Sequence, residues 1–365
     1  MSNIGHLLER YREHPSVVQL VQALQQPHAR VQLSGLTGAQ GAFALAATLT
    51  VDGGRWTVDG PPSTVHRPPS TVDRPPSTVH RPPSTVDRPP STVLYIAESK
   101  EEAAYLLNDL QGILGDSAVH FFPDSFKRPA FFDDLNPTQM LQRSEAINKL
   151  TSPGAGPSVL ITYPEALFEK VVRPEVLAQS RVDIAKGEKL DMDFVIQVLV
   201  EYGFERTDFV YEPGQFSVRG GILDLFSYGN DLPYRIELFD DEVESIRTFD
   251  PLDQLSKRDI GRVSIVPNLN TRFRQDQKVS LFQVLPENTV IWIKDFQFLL
   301  DRLQYCFEKA EQFAGKISAF DAAEVREIFR DRAFVFPGDV VEDVRACSIV
   351  FLEKPSSNIE AMLKS

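Results

Sequence analysis

The chain has 365 residues, 42% of them hydrophobic, which is enough for two or three domains with cores of their own. Its formal net charge of −13 argues against nucleic-acid binding over the whole surface, because neutralising phosphates requires clustered Lys and Arg. Two cysteines, no secretory leader and no apolar run of 18 residues exclude a disulfide scaffold and predict a cytoplasmic protein without a membrane segment.

The positions of the histidines limit the kinds of catalytic and metal site that the chain can form. All six histidines lie at or before position 120. The C-terminal two-thirds therefore lack the imidazole needed for a Ser-His-Asp triad or a His-ligated metal site. We expect no metal, no cofactor and no catalytic residue in this chain.

The N-terminal region has the outline of a phosphate-binding unit. Residues 1–28 carry apolar residues at helical spacing and predict two short helices separated at Pro15. The stretch VQLSGLTGAQGAFALAATL, residues 31–49, then predicts a strand, a Gly-rich turn and a helix. A working loop of this kind reads G-x-x-x-x-G-K-[ST], in which Lys neutralises phosphate charge and the hydroxyl holds Mg²⁺.

The residues that would contact phosphates are missing from that loop. With Gly35 as the first position, Gln40 stands in place of the second Gly, Gly41 in place of Lys and Ala42 in place of Ser/Thr, and no Lys occurs among residues 1–99. The helix N-terminus could still attract an anion through its dipole. We favour a vestigial loop that is kept for packing; its residues are Gly35, Gly38, Gly41 and Ala42.

A perfect heptad repeat follows, PPSTVHR alternating with PPSTVDR from residue 61, inside a predicted insert at 56–93. Two prolines per unit forbid a helix, and one Val per unit cannot form a core, so the composition predicts a polyproline-like linker. The repeat is either a docking motif for a proline-recognising domain or a tandem expansion within a surface loop. We favour the expansion, since lengthening a loop costs little closure entropy.

After the repeat, strands alternate with helices. A buried strand at 91–98 leads into a helix with Ser99 as N-cap and Glu102 three residues later, the pattern of a capping box. Apolar strands at 118–123 and 158–164 flank a predicted helix at 137–150. This alternation predicts a parallel α/β sheet.

The pattern changes near residue 170. An amphipathic helix at 190–204 precedes antiparallel strands within 215–268, which predicts a smaller α+β domain. Beyond residue 270 an α/β pattern returns, either as a continuation of the first domain or as a partner to it. The predicted elements there are helices at 279–286, 295–315 and 321–330 and strands at 288–295, 332–336 and 347–353.

Asp241 and Glu242, in YRIELFDDEVE, end a strand as the acidic Mg²⁺-binding pair of helicases does. The same letters fit the turn of a β-hairpin, because apolar residues alternate on both sides of the acidic pair. We favour the hairpin, since a loop without Lys leaves no nucleotide for the pair to serve.

Arg206 and Arg219 are the more informative charges. Residues 216–219 alternate Phe, Ser, Val and Arg, so Arg219 shares a face with Ser217, and Gly220-Gly221 permits a close backbone approach. An Arg on a strand face is commonly just solvated. Arg beside aromatic residues is also a frequent hot spot of protein interfaces.

Several of these segments together resemble a known family. They are SGLTGAQGAFALA, VLYIAESKEEAAYLLNDL, FFPDSFKRP, YGFERTDFVYEPGQFSVRGGILDLFSYG and PYRIELFDDEVESIRTFDP. They resemble the N-terminal module of bacterial transcription–repair coupling factors, which is itself similar to the first domains of the excision-repair helicase subunit UvrB. The resemblance is most specific at 201–250 and weak beyond 270.

The resemblance implies an α/β fold with a degenerate, P-loop-derived parallel sheet and an inserted α+β domain. The implied limits are domain 1a at 1–168, domain 2 at 169–258, domain 1b at 259–350 and a tail at 351–365. In both families domain 2 recruits the damage-recognition subunit UvrA, and the matching positions here are Arg206, Arg219 and Phe226. Repair subunits often have a second Arg where Ser217 stands. The resemblance shows no counterpart in domain 1a of the long β-hairpin with which UvrB clamps DNA.

The resulting hypothesis is a non-catalytic adaptor that brings UvrA to stalled RNA polymerase. RNA polymerase and DNA would be bound by family domains C-terminal to residue 365, where the ATP-dependent translocase motor would also lie. The alternatives are a divergent ATP-dependent helicase subunit with an unconventional nucleotide site and an interaction domain for an unrelated partner.

Overall fold

The computed structural model describes residues 3–49, 92–128, 131–151, 156–180, 182–227, 232–265, 277–314 and 334–364. The heptad repeat up to residue 91 and the predicted helix at 321–330 lie outside these residues, whereas Thr92 and Val93, the last two residues of the predicted insert, belong to a strand. None of the described helices is both long and apolar enough to cross a membrane.

The strands and helices are numbered in chain order. The strands are β1 Arg30–Gln32, β2 Thr92–Ile96, β3 Val119–Phe121, β4 Phe126–Arg128, β5 Phe131–Leu135, β6 Ser158–Thr162, β7 Val171–Val172, β8 Val182–Ala185, β9 Glu205–Arg206, β10 Gln215–Arg219, β11 Ile222–Leu225, β12 Tyr234–Phe239, β13 Glu242–Phe249, β14 Ser256–Asp259, β15 Arg262–Ile265, β16 Lys278–Val279, β17 Thr289–Ile293 and β18 Ser348–Phe351. The helices are α1 Asn3–Arg12, α2 Pro15–Leu24, α3 Gln40–Leu49, α4 Lys100–Leu114, α5 Pro137–Thr151, α6 Pro164–Phe168, α7 Pro174–Gln179, α8 Met192–Glu201, α9 Phe296–Ala314, α10 Pro337–Val344 and α11 Ser357–Lys364.

The first layer is a six-stranded parallel sheet in the order β1-β18-β17-β2-β6-β3. Every residue of β2, β6 and β17 is buried, which explains why these strands read as continuous apolar runs rather than as alternating patterns. Helices cover the sheet as the sequence predicts. The α/β class is confirmed.

The end of the chain returns to the middle of this sheet. Strands β17 and β18 lie between β1 and β2, so the segments predicted as domains 1a and 1b contribute to one sheet and one hydrophobic core. The open choice between a continuation and a separate partner is resolved as a continuation.

The second sheet is the inserted unit, with the order β14-β13-β12-β11-β10-β9. Its strands are antiparallel except for the parallel pair β9–β10. One face packs on α8 and on the antiparallel pair β8–β15, and together they form a separate core around Leu199, Phe216 and Ile236. The predicted inserted α+β domain is confirmed as an architecture.

The limits of this unit can be compared with the cores. Val171 and Val279 belong to the core of the parallel sheet, whereas Ile184 and Ile265 belong to the core of the inserted unit. The second core thus includes β15, which the predicted limit at residue 258 leaves outside. The domain limits of the sequence analysis stay predictions, and the cores favour a division closer to 182 and 265.

Local signals account for most helix ends. Ser99 caps α4 as predicted, since its hydroxyl oxygen accepts a hydrogen bond from the Glu102 N–H at 3.2 Å. The Glu102 carboxylate accepts its bond from the Glu98 N–H at 2.8 Å, one residue before the N-cap, so the reciprocal bond of the predicted capping box is shifted by one residue. Helix α8 begins later than predicted because the Asp191 carboxylate caps the Phe194 N–H at 3.1 Å. The predicted helix at 279–286 is reduced to one short turn at Leu281–Val284, and the short pair β4–β5 was not predicted.

A buried polar cluster links β3, α5 and α6. Arg143 is 6% exposed, and its guanidinium donates to the carbonyl oxygens of Pro123 at 2.6 Å and Ala166 at 2.9 Å. Its second terminal nitrogen donates to the Glu169 carbonyl at 3.1 Å. Burial raises the pKa of the Glu169 carboxyl group, while Arg143 and hydrogen bonds from Ser125 oppose that shift.

Replacing Arg143 tests this cluster. Arg143→Met keeps an apolar stem but leaves the Glu169 carboxylate and the buried carbonyls without their cation, so we expect about 3–5 kcal/mol less stability. Urea unfolding measures the change. The control is Arg10→Met on the exposed side of α1, which should stay within about 0.5 kcal/mol of the unmodified chain. A loss below about 1 kcal/mol for Arg143→Met would show that the cluster does not hold these elements together.

Candidate functional site

Both predicted arginines lie in the inserted sheet, at its β9 edge. Arg206 is exposed in the edge strand β9 and is paired in register with Phe216 of β10. Arg219 ends β10, three residues further on, about 10 Å along the strand at 3.3 Å per residue. Because side chains alternate along β10, Arg219 lies on the face opposite to Phe216. The sheet brings the two arginines to one edge without placing them side by side.

Arg219 is held between a carboxylate and an aromatic ring. Its terminal nitrogen Nη2 donates to Oδ2 of Asp224, and its guanidinium carbon lies 5.3 Å from the centre of the Phe209 ring. The Arg219 side chain is 41% exposed, whereas that of Asp224 is 1% exposed. The arginine can therefore contact a partner, and the carboxylate cannot.

Asp224 also binds a second arginine, which the sequence analysis did not single out. Arg235 lies directly opposite Asp224 in the ladder between β11 and β12. Its Nε donates to Oδ1 at 2.7 Å and its Nη2 to Oδ2 at 2.9 Å, a side-on bidentate pair. These hydrogen bonds raise the pKa of the Arg235 guanidinium. The signal in the sequence was a charged residue in the apolar run ILDL, but its partner depends on strand register.

The loop between β9 and β10 carries two exposed aromatic side chains. Phe209 and Tyr211 are 48% and 52% exposed, and their ring centres are 6.5 Å apart. The Gln215 side chain accepts hydrogen bonds from the N–H groups of Tyr211 at 2.9 Å and Glu212 at 3.1 Å. The Ser217 hydroxyl donates to the Asp208 carbonyl at 3.0 Å. We call Arg206, Phe209, Tyr211 and Arg219 the arginine–aromatic surface.

Phe226, the third predicted contact residue, is buried beneath this loop. Its side chain is 6% exposed and packs with Val210 and Phe249 in a small cluster apart from the main cores. Its backbone carbonyl accepts from the Gly214 N–H at 2.7 Å. Phe226 thus supports the loop from below, where a docked partner would not reach its ring.

The predicted phosphate-type loop forms the turn between β1 and α3. Gly35 and Gly38 have φ values of +82° and +56°, which favour glycine, and α3 begins at Gln40. The Gln40 side-chain oxygen accepts from the Thr37 N–H at 2.8 Å and its hydroxyl at 3.2 Å, while Ala42 is buried in the core. The turn is thus closed by its own amide side chain.

Charges already pair at the carboxyl edge of the parallel sheet, where α/β proteins bind nucleotides. Lys294, after β17, lies 2.7 Å from the Glu98 carboxylate after β2 and 3.7 Å from the Glu353 carboxylate after β18. The hydrogen bond to Glu98 raises the pKa of Lys294. This cation therefore neutralises carboxylates of the chain itself.

The acidic pair Asp241-Glu242 stands at the hairpin between β12 and β13, as favoured from the sequence. Asp240 has a φ of +57° in this turn, and Asp241 pairs with Lys189 at 2.7 Å. Among the described residues, no three His, Cys, Asp or Glu side chains are grouped so that they could hold a metal ion.

Comparisons with known proteins point to one family. Residues 182–270, which include the arginine–aromatic surface, match the UvrB interaction domain. The chain is 31% identical over 203 residues to the transcription-repair-coupling factor of Bacillus subtilis (strain 168), which is 55% of this chain and 17% of that protein. The corresponding protein of Myxococcus xanthus is 32% identical over 178 residues, or 47% of this chain and 15% of that protein.

A third relative, the transcription-repair-coupling factor of Escherichia coli (strain K12), is 31% identical over 136 residues, 37% of this chain and 12% of that protein. The matches thus span between 12% and 17% of the length of these three curated relatives. Residues 182–270 are thus similar to the UvrB interaction domain, and the chain is similar to part of the transcription-repair-coupling factors.

Proposed function

We propose that this chain is a non-catalytic adaptor module that recruits a UvrA-type damage-recognition subunit through the arginine–aromatic surface. The observation that carries the proposal is Arg219, exposed but held between Asp224 and Phe209. It lies in the segment that matches the UvrB interaction domain. Arg and aromatic side chains with restricted motion are the residue types that dominate binding energy at interfaces.

The two arginines have different roles in this proposal. Arg206, in the edge strand, contacts the partner from the side of the sheet that carries the main core. On the opposite side of the sheet the partner contacts Arg219, Phe209 and Tyr211. The partner therefore binds around the β9 edge and contacts both faces. Phe226 contributes by supporting the loop rather than by direct contact.

The coupling role rests on the relatives. These relatives are transcription-repair-coupling factors, and we propose the same setting for this chain, in the cytoplasm, with RNA polymerase and DNA bound by other parts of a longer protein. The chain itself would link that protein to excision repair.

Substituting the arginines tests the docking surface. We expect Arg206→Ala and Arg219→Ala each to weaken binding to purified Bacillus subtilis UvrA at least about thirtyfold, the effect of losing an interface hot spot of about 2 kcal/mol. Asp224 keeps its bidentate partner Arg235 in Arg219→Ala, so stability should change by less than about 1 kcal/mol. Calorimetric titration measures binding, and thermal unfolding measures stability.

The matched control is Arg262→Ala, which removes an exposed arginine from β15 in the same domain and should bind like the unmodified chain. Unchanged affinity in both Arg206→Ala and Arg219→Ala would remove these residues from the site. Equal losses in all three variants would indicate a general charge effect instead.

A divergent ATP-dependent helicase subunit is the alternative function. The loop lacks Lys, its turn is closed by Gln40, and Lys294 is paired with Glu98 and Glu353. These features favour the adaptor, because Gly41 stands where the Lys would neutralise phosphate and Ala42 where a hydroxyl would hold Mg²⁺.

We therefore expect no binding of MgATP. Titration should give no heat of binding, and saturating MgATP should leave the melting temperature unchanged, because a ligand that binds only the folded state raises it. Repeating both measurements with ADP controls for a preference for the product nucleotide. A micromolar dissociation constant for either nucleotide would contradict a vestigial loop.

A further inference from the structure

The buried carboxylate of Asp224 contacts an exposed residue of the arginine–aromatic surface. It is 1% exposed and cannot reach a docked protein, yet it contacts the exposed arginine of the arginine–aromatic surface. The strand register explains the contact. Asp224 pairs with Ser217 across β10–β11, so the side chain of Arg219, two residues along β10, lies diagonally next to it on the same face.

Arg235 fixes the carboxylate from the other side. Besides its bidentate pair with Asp224, Arg235 donates to the Gln254 carbonyl at 3.2 Å, and its guanidinium carbon lies 4.7 Å from the centre of the Phe249 ring. Its side chain is 17% exposed. The Arg235 side chain thus contacts Asp224, the Gln254 carbonyl and the Phe249 ring. Its bidentate pair fixes the orientation of the Asp224 carboxylate independently of Arg219.

A fixed carboxylate restricts Arg219. A free arginine side chain must lose most of its rotamer freedom when it binds a partner, and a side chain that is already ordered avoids that cost. Asp224 also separates the charges of Arg219 and Arg235, which would otherwise repel each other on neighbouring positions of one sheet face.

We propose that Asp224 is a positioning residue that holds Arg219 in its binding orientation before the partner arrives. The proposal rests on the proposed function, since the partner is the UvrA-type subunit. Asp224 contributes to affinity only through Arg219, and Arg235 anchors Asp224 without contacting the partner.

The test is a double-mutant cycle with Bacillus subtilis UvrA as the probe. Asp224→Asn keeps the size of the side chain and removes its charge, so we expect binding about two- to tenfold weaker, the cost of ordering one long side chain at the interface. In the Arg219→Ala background the same substitution should change affinity less than twofold. In the Arg206→Ala background, the matched control, it should keep its full effect.

Stability is measured in the same variants. Asp224→Asn should lower the melting temperature in both backgrounds, because the pair with Arg235 is lost in both, and somewhat more when Arg219 is present, because its own pair with Asp224 is lost as well. If Asp224→Asn weakened UvrA binding by the same factor in the Arg219→Ala and Arg206→Ala backgrounds, its effect would not depend on Arg219. That result would overturn the positioning role and would mean that Asp224 only stabilises the domain.

A second measurement covers the case in which Arg219→Ala binds too weakly to titrate. Nitrogen relaxation of the Arg219 Nε–H group in the free 365-residue chain should show a rigid bond vector, and a mobile one in Asp224→Asn. A vector equally mobile in both would overturn the proposal. If the unmodified chain shows a rigid Arg219 but no binding of UvrA, the proposed function fails while the positioning by Asp224 stands.

Discussion

The architecture depends on how the chain enters and leaves the inserted domain. Strand β7 pairs with β16 in the core of the parallel sheet, and β8 pairs with β15 in the core of the inserted sheet. Both pairs are antiparallel and short, so the outgoing and returning segments run next to each other. This lets a sheet of consecutive antiparallel strands interrupt a parallel one, because β17 can reach its place beside β2 only if the chain returns to where it left.

The parallel sheet and the inserted sheet also differ in which of their surfaces are exposed. The strands β2, β6 and β17 of the parallel sheet are buried on both faces. Polar groups at the carboxyl edge of this sheet already pair with each other, in the Gln40 turn and in the ion pairs of Lys294. The inserted sheet has one face on its core, and the other carries polar and charged side chains such as Arg219, Arg235 and Arg247. Recognition is therefore expected on the inserted sheet, while the parallel sheet supports it.

Hydrophobic pattern was sufficient for much of this fold. The buried runs of β2 and β6 and the alternation in β12 and β13 determine strand type, and Ser99 and Glu102 mark a helix start. Strand order was not available from the pattern, because periodicity says which face is buried and not which strand is the neighbour. The position of β17 and β18 inside the first sheet was therefore left open. The pair β4–β5 is too short and too polar to stand out in a sequence.

In the candidate site, too, some residues could be predicted from the sequence and others depend on strand register. Arg206 and Arg219 were singled out from local sequence and family resemblance, and Phe226 as one of the aromatic residues near them and from the resemblance. Asp224 and Arg235 became visible only through register, since their positions in the chain do not reveal that they face each other. The burial of Phe226 was likewise hidden, because its cluster with Val210 and Phe249 joins residues far apart in sequence.

The hydrogen bond between Ser217 and the loop affects the kinetics expected for the proposed docking. The Ser217 side chain is 2% exposed, and its hydroxyl ties the loop between β9 and β10 through the Asp208 carbonyl. A charge at an interface rim mainly accelerates encounter and makes it sensitive to ionic strength, while an ordered loop mainly slows dissociation. In the proposed docking on this edge, Ser217 therefore contributes to a long residence time rather than to long-range attraction.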